Sequence, residues 1–137
     1  MKKLISTLLI IFIASTAFSQ KLSIKEVLGT TKILGNLEIA QFDFPTLMGL
    51  NEGSQACHDL GYGWRLPTIE ELDEMYLYKD KITGFKGEKD GNTYWSSSKK
   101  GEDMFWIFSF KWGNKNGTII FDGMEGNYVR AVRTKQN

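Results

Sequence analysis

Apolar residues are spaced along this chain in three different ways, and each spacing predicts a different kind of segment. Between Leu4 and Ala14 they form a nearly unbroken run behind Lys2 and Lys3. From Ile69 onward they recur at helical spacing, with Leu72, Met75 and Tyr76 on one stripe among acidic residues. In the second half they alternate with other residues, as Met104, Trp106, Phe108, Phe110 and Trp112 do, which is the period of a strand with one face on a core.

The first run has the build of a signal peptide. Two lysines precede it, and Ala17-Phe18-Ser19 supplies small residues where a signal peptidase cuts. It is shorter than the roughly 20 apolar residues that a membrane-spanning helix needs. Cleavage leaves Gln20 as the new terminus, so the chain divides into a signal segment 1–19, a lead segment 20–33 and a domain 34–134. No cysteine marks a lipid-attachment site there. The expected location is outside the cytoplasm, whether periplasmic, cell-surface or extracellular.

After the signal segment, the polar stretch Lys21 to Thr31 reads as weakly ordered or as a short helix. Lys32 to Phe44 reads as a strand or a hairpin around Gly35-Asn36, ended by Pro45. Asn51 is a candidate cap for a helix running to Leu60, with Ala56, Cys57 and Leu60 on one face and Gly61 as its stop. The clearest helix start lies at Thr68, where Glu71 three residues on completes a capping box and Pro67 is placed to pack on Leu72. Ile82 to Asn92, rich in Gly, Lys and Asp, reads as a long surface loop. Tyr94-Trp95-Ser96, Met104 to Trp112 and Tyr128 to Arg133 read as strands, and Asn116-Gly117 signals a hairpin that would set Trp112 opposite Phe121.

Charge and composition narrow the function classes. Loss of residues 1–19 removes two lysines and no acids, leaving 15 basic against 16 acidic residues, with no basic footprint for nucleic acid. Cys57 is the single cysteine and His58 the single histidine, so neither an internal disulfide nor a zinc site is expected. Glu70, Glu71, Asp73 and Glu74 are accounted for by the dipole at a helix start. No phosphate-binding glycine loop, nucleophile elbow or paired acid and base is present, so no catalytic residues, no metal and no cofactor are expected.

The ordered motifs Ala56-Cys57-x-x-Leu60-Gly61, Gly63-Trp64-Arg65-Leu66-Pro67-Thr68, Tyr94-Trp95-Ser96-Ser97, Trp106 with Phe108, and Val129-Arg130-x-Val132-Arg133 resemble a family of secreted bacterial domains. That family includes the Fibrobacter succinogenes major paralogous domains and the C-terminal domain of the Legionella collagen-like adhesin. The resemblance covers roughly Leu34 to Thr134. It implies an α+β fold, C-type-lectin-like, with two helices flanking a small, twisted, mostly antiparallel sheet and with N- and C-terminal strands adjacent. Most members have no assigned activity, and the adhesin relatives bind glycosaminoglycan-like polysaccharides. Relatives often carry a second cysteine where this chain has Ala131, able to pair with one near Cys57; that staple is absent here. The calcium motif of sugar-binding C-type lectins is also missing.

Trp64, Trp95, Trp106 and Phe108 are expected in the core, and Arg65, Arg130 and Arg133 as structural donors. Trp112 is open between two readings, a core residue by alternation or, near the turn, a stacking platform. Beside Asn114, Asn116 and Asp122 it would join an aromatic face to hydrogen-bonding neighbours, the combination that sugar recognition uses. The function expected is a secreted, non-catalytic binding module for a glycan or another cell-surface polymer; the alternative is an envelope component holding a protein partner. Export is checked by mass spectrometry of the native protein, which should begin at Gln20 or Lys21; a full-length form in the inner membrane would overturn this reading.

Overall fold

A computed structural model describes residues 24–120 and 126–137. It is a mixed α+β arrangement of two three-stranded antiparallel sheets with helices packed on them. Residues 24–28 form a helical turn that buries Val27. Strands β1 (Lys32–Leu34) and β2 (Leu37–Ile39) make a hairpin around Gly35-Asn36, and Gly35 takes a positive φ of 59° there. β6 (Val132–Thr134) pairs on the other side of β2, so the C-terminal strand lies against the second strand of the N-terminal hairpin, with β1 at the far edge. The second sheet has the order β3 (Tyr94–Gly101), β4 (Met104–Ser109), β5 (Asn114–Ile119). Where the resemblance implied one sheet, there are two. The segment 127–132 joins them, pairing Tyr128 with Tyr94 and Val132 with Arg65 through isolated bridges.

Helix α1 runs from Leu50 to Asp59 and starts from Gly49, not Asn51, with no side-chain cap. Gly53 sits on its buried face because the helix lies against the C-terminal segment; a Cβ there would stand 2.7 Å from Val129 Cγ2. Helix α2 (Ile69–Leu77) begins as its sequence requires. Thr68 accepts a hydrogen bond from the Glu71 amide, the Glu71 carboxylate accepts one from the Thr68 amide, and Arg65 Nη1 donates to the same carboxylate at 2.8 Å. Two serines add a second support. β3 bulges against β4 between Trp95 and Lys99, and in that bulge Ser98 accepts from the Ile69 amide while the Ser97 amide donates to the Pro67 carbonyl. The YWSSS string thus ties the second sheet to the start of α2.

The second sheet divides the core. Successive residues of β3 and β4 point to opposite faces. Trp95, with Phe105 and Ile107 against it, belongs to a cluster with Cys57, Leu60, Trp64, Leu66, Val129 and Ala131. Tyr94, Phe108 and Phe110 belong to another with Ile39, Leu72, Met75, Phe85 and Val132. In the second cluster the Phe85 and Phe110 rings stack at 4.0 Å, and Tyr94 meets both edge-on. Cys57 is fully buried, and desolvation pushes its thiol up to about 12, which keeps it protonated and unreactive.

The stretch from Ile82 to Asn92 is not a surface loop. It carries two short helical turns, α3 (Lys79–Ile82) ending within it and α4 (Gly87–Asp90), and it buries Ile82, Phe85 and Gly87. Its glycines and lysines hid a buried aromatic anchor and a polar one. Arg130 is wholly buried, and its Nε donates to Asp43 Oδ1 at 2.7 Å. Its terminal nitrogens donate to the carbonyls of Ala40, Thr83 and Gly84. Asp43 Oδ2 accepts from the Lys86 amide and from the Tyr94 hydroxyl, while the guanidinium lies 4.2 Å from the Phe85 ring centroid. Thr83 is held at a φ of +66°, a conformation a β-branched residue avoids, with its carbonyl turned to the guanidinium. Burial above all, and then the Asp43 charge, raise the Tyr94 phenol, so it stays a donor to that carboxylate.

At the other end of the same segment Arg133 donates to Glu38 across the β2–β6 pair at 2.7 Å, and its guanidinium covers Trp64 at 4.7 Å. The Arg133 hydrogen bond holds the Glu38 carboxyl below its ordinary range.

Two outcomes follow for stability. Asp43→Ala leaves a buried guanidinium without its carboxylate and should cost about 3–5 kcal/mol, whereas Asp43→Ala combined with Arg130→Met should recover part of that loss. Urea midpoints of the three proteins decide it. Because folding depresses the Glu38 carboxyl, its contribution is present above the unfolded carboxyl pKa of about 4.3 and is lost as pH falls through the folded value. Glu38→Gln should therefore lower stability at neutral pH and flatten the decline on acidification, read as melting temperature against pH.

Candidate functional site

The hairpin that carries Trp112 turns earlier than the sequence suggests. β4 ends at Ser109, β5 begins at Asn114 directly opposite it, and residues 110–113 make the turn. Asn116-Gly117 lies inside β5, facing Ile107 and Trp106, and Trp112 lies in the turn; Phe121, the partner expected for it, lies outside the described residues. Gly117 serves a close approach instead of a turn: a Cβ there would stand 2.5 Å from Lys100 Cδ, whose stem crosses it. Gly113 supplies the positive φ, at 67°.

This turn is anchored on both sides. The Gly113 amide donates to the Ser109 carbonyl at 2.8 Å, and the Trp112 amide donates to the Ser109 hydroxyl. Gly113 rests on Tyr76 of α2, so closely that a Cβ would meet the phenol ring at 2.6 Å. Tyr76 is itself fixed by Phe108 and Phe110. Two residues further, Lys115 pairs with Asp73 of the same helix at 3.2 Å. The backbone under Trp112 is therefore tied to α2 while its side chain is 72% exposed. Alternation placed Trp112 with the core aromatics; leaving the strand at Ser109 turns it out to solvent.

Trp112 lies in the turn, and Asn114 and Asn116 follow it on β5. The two asparagines are exposed, two residues apart, and share one face of β5. Asp122 lies outside the described residues. Lysines accompany the aromatics of this sheet: Lys111 Nζ lies 5.2 Å from the Trp112 centroid, and Lys100 and Lys115 lie 4.6 and 5.9 Å from that of Trp106. Trp106 is half-buried, packing one side on the second cluster under these lysine stems. Alternation with Phe108 placed it in the core, and the observed register, with Lys115 opposite Phe108, brings that lysine beside it.

Arg65 and Arg133 spend their guanidinium groups on Glu71, Glu38 and the carbonyls of Leu66 and Tyr62, and Arg130 is buried. Glu71 and Asp73 are engaged as cap and ion pair. Among the described residues no helix is long and apolar enough to cross a membrane. The chain matches no protein-family model and no curated protein.

A second concavity was not anticipated. A groove of about 590 Å³ lies beside α1, floored by Phe44, Met48, Ala56 and Leu60. Its sequence signal was the helix stripe Glu52, Gln55, Ala56 and Asp59, which lies beside the buried face of the same helix and passed for ordinary surface.

Proposed function

We propose that this chain is an exported, non-catalytic binding module that holds a glycan or another cell-surface polymer against Trp112, Asn114 and Asn116. One observation carries the reading. A tryptophan leaves most of its indole in water on a turn whose backbone is pinned to a helix, so the ring is offered in a fixed place and little entropy remains to be lost on contact. Amide side chains along the adjoining strand give a stacked sugar ring hydrogen-bonding neighbours. The C-type-lectin-like form of the fold is part of this proposal. The motif order supports it, as does the pairing of β2 with β6, which sets the last strand against the N-terminal hairpin.

Trp112→Ala is the test. Because the ring is mostly exposed, stability should change by less than about 0.5 kcal/mol in chemical denaturation. Binding to a polysaccharide identified on a glycan array should fall about tenfold, and it should persist in a calcium chelator. A stable Trp112→Ala protein with unchanged affinity would remove the site, and loss of binding in chelator would reveal a metal dependence.

A further inference from the structure

The groove beside α1 is separate from the Trp112 turn and is chemically unlike it. Its floor is made of outer edges of the first core cluster, Phe44, Met48, Ala56 and Leu60, and Ile24 closes one side. Its rim is helix α1. Glu52, Gln55, Ala56 and Asp59 recur at the spacing of a single helical face, adjacent to the face that buries Gly53 and Cys57. Ala56 at the centre of that stripe is what keeps the groove open, since a long side chain there would fill it. At about 590 Å³ the space is of the size that takes a ligand or a few side chains.

Charge decides what fits. The rim carries two carboxylates, Glu52 and Asp59, and the described residues lining the groove include no lysine or arginine. Seven residues apart on one helix, the two acids stand roughly 10 Å from each other along its axis. Asp59 accepts from Gln55 at 2.9 Å, which steadies it without neutralising it. Neither acid is among the ion pairs of the described residues. An apolar trough between two unneutralised acids repels anions and leaves an uncharged polar ligand without partners for the floor. It suits an apolar side chain flanked by cations, and basic residues about three apart on an extended segment span a distance of roughly 10 Å.

We propose that this groove binds a peptide segment of a protein partner in which apolar residues are flanked by lysine or arginine, apolar side chains on the Ala56 floor and cations at Glu52 and Asp59. The site does not depend on the Trp112 reading.

The experiment uses the mature chain from Gln20 and two dye-labelled synthetic peptides, one with the pattern Lys-Leu-Leu-Lys and one with the pattern Glu-Leu-Leu-Glu, followed by fluorescence anisotropy. The basic peptide should bind saturably and weaken as salt is raised, and the acidic peptide should not bind. Glu52→Gln with Asp59→Asn should weaken the basic peptide about tenfold or more, and Ala56→Phe should do so by filling the trough. The rim variant alters exposed residues only, so it reports even if Ala56→Phe unfolds. No saturable binding, equal binding of both peptides, or affinity unchanged in the rim variant would each overturn the proposal. Binding that emerges only in a Leu22→Asp protein would overturn it too, because the occupant would then be this chain's own lead segment. Since Trp112→Ala should leave peptide binding intact, failure here and failure of the polymer site are read separately.

Discussion

A guanidinium with no access to water governs how this chain closes. Arg130 must find a partner for its charge and for its hydrogens inside the protein, because an unpaired buried charge costs more than the rest of a small domain's stability can offset. Asp43 answers the charge, and the carbonyls of Ala40, Thr83 and Gly84 take the remaining donors. Those acceptors come from two segments far apart in sequence, so satisfying one side chain fixes where three stretches of chain meet. The positive φ of Thr83 shows which demand wins: a carbonyl is aimed at the guanidinium although a β-branched residue resists that backbone. Replacing such a pair by apolar groups need not weaken a protein, so its value here lies in specifying one arrangement of the Gly-rich segment over others.

Around that centre the aromatic residues do what a disulfide often does in small exported domains. The lone thiol of Cys57 is buried in the same apolar cluster as Ala131 and links nothing. Packing is carried instead by Trp64 and Trp95 on one side of the second sheet and by Tyr94, Phe85, Phe108 and Phe110 on the other. Trp95 also donates from its indole to the Met48 carbonyl at 2.6 Å, so its burial leaves no polar group unmet.

What could be read from the sequence was local chemistry. The capping box at Thr68 needs only Thr68 and Glu71, and it formed as written. The Gly35-Asn36 hairpin and the buried aromatics of Tyr94, Trp95 and Phe108 were legible for the same reason, each resting on a short pattern. The rest depended on distant partners. Nothing near Phe85 announces that Arg130 and Phe110 will cover it. Asn116-Gly117 satisfies the rule for a turn, yet both residues lie inside β5 and the chain turns at residues 110–113. The α1 start at Gly49 lacks a side-chain cap, so the better capping residue next along, Asn51, misled. At the candidate site the residue types were legible, but whether Trp112 faced core or water turned on where the strand ended.

The central place of residues 127–134 bears on the order of events as the polypeptide emerges from a ribosome or a translocation pore. Both sheets, the Asp43 carboxylate and the two apolar clusters all wait for this stretch, which is made after nearly everything it joins. Until it arrives, β2 has β1 on one side only, Trp95 lacks its bond to the Tyr128 carbonyl, and a carboxylate stands ready with no cation. The chain is thus held open by its own topology until late in its emergence, and closure joins contacts of long sequence separation in one step. A protein built this way becomes compact only after its joining segment has been made.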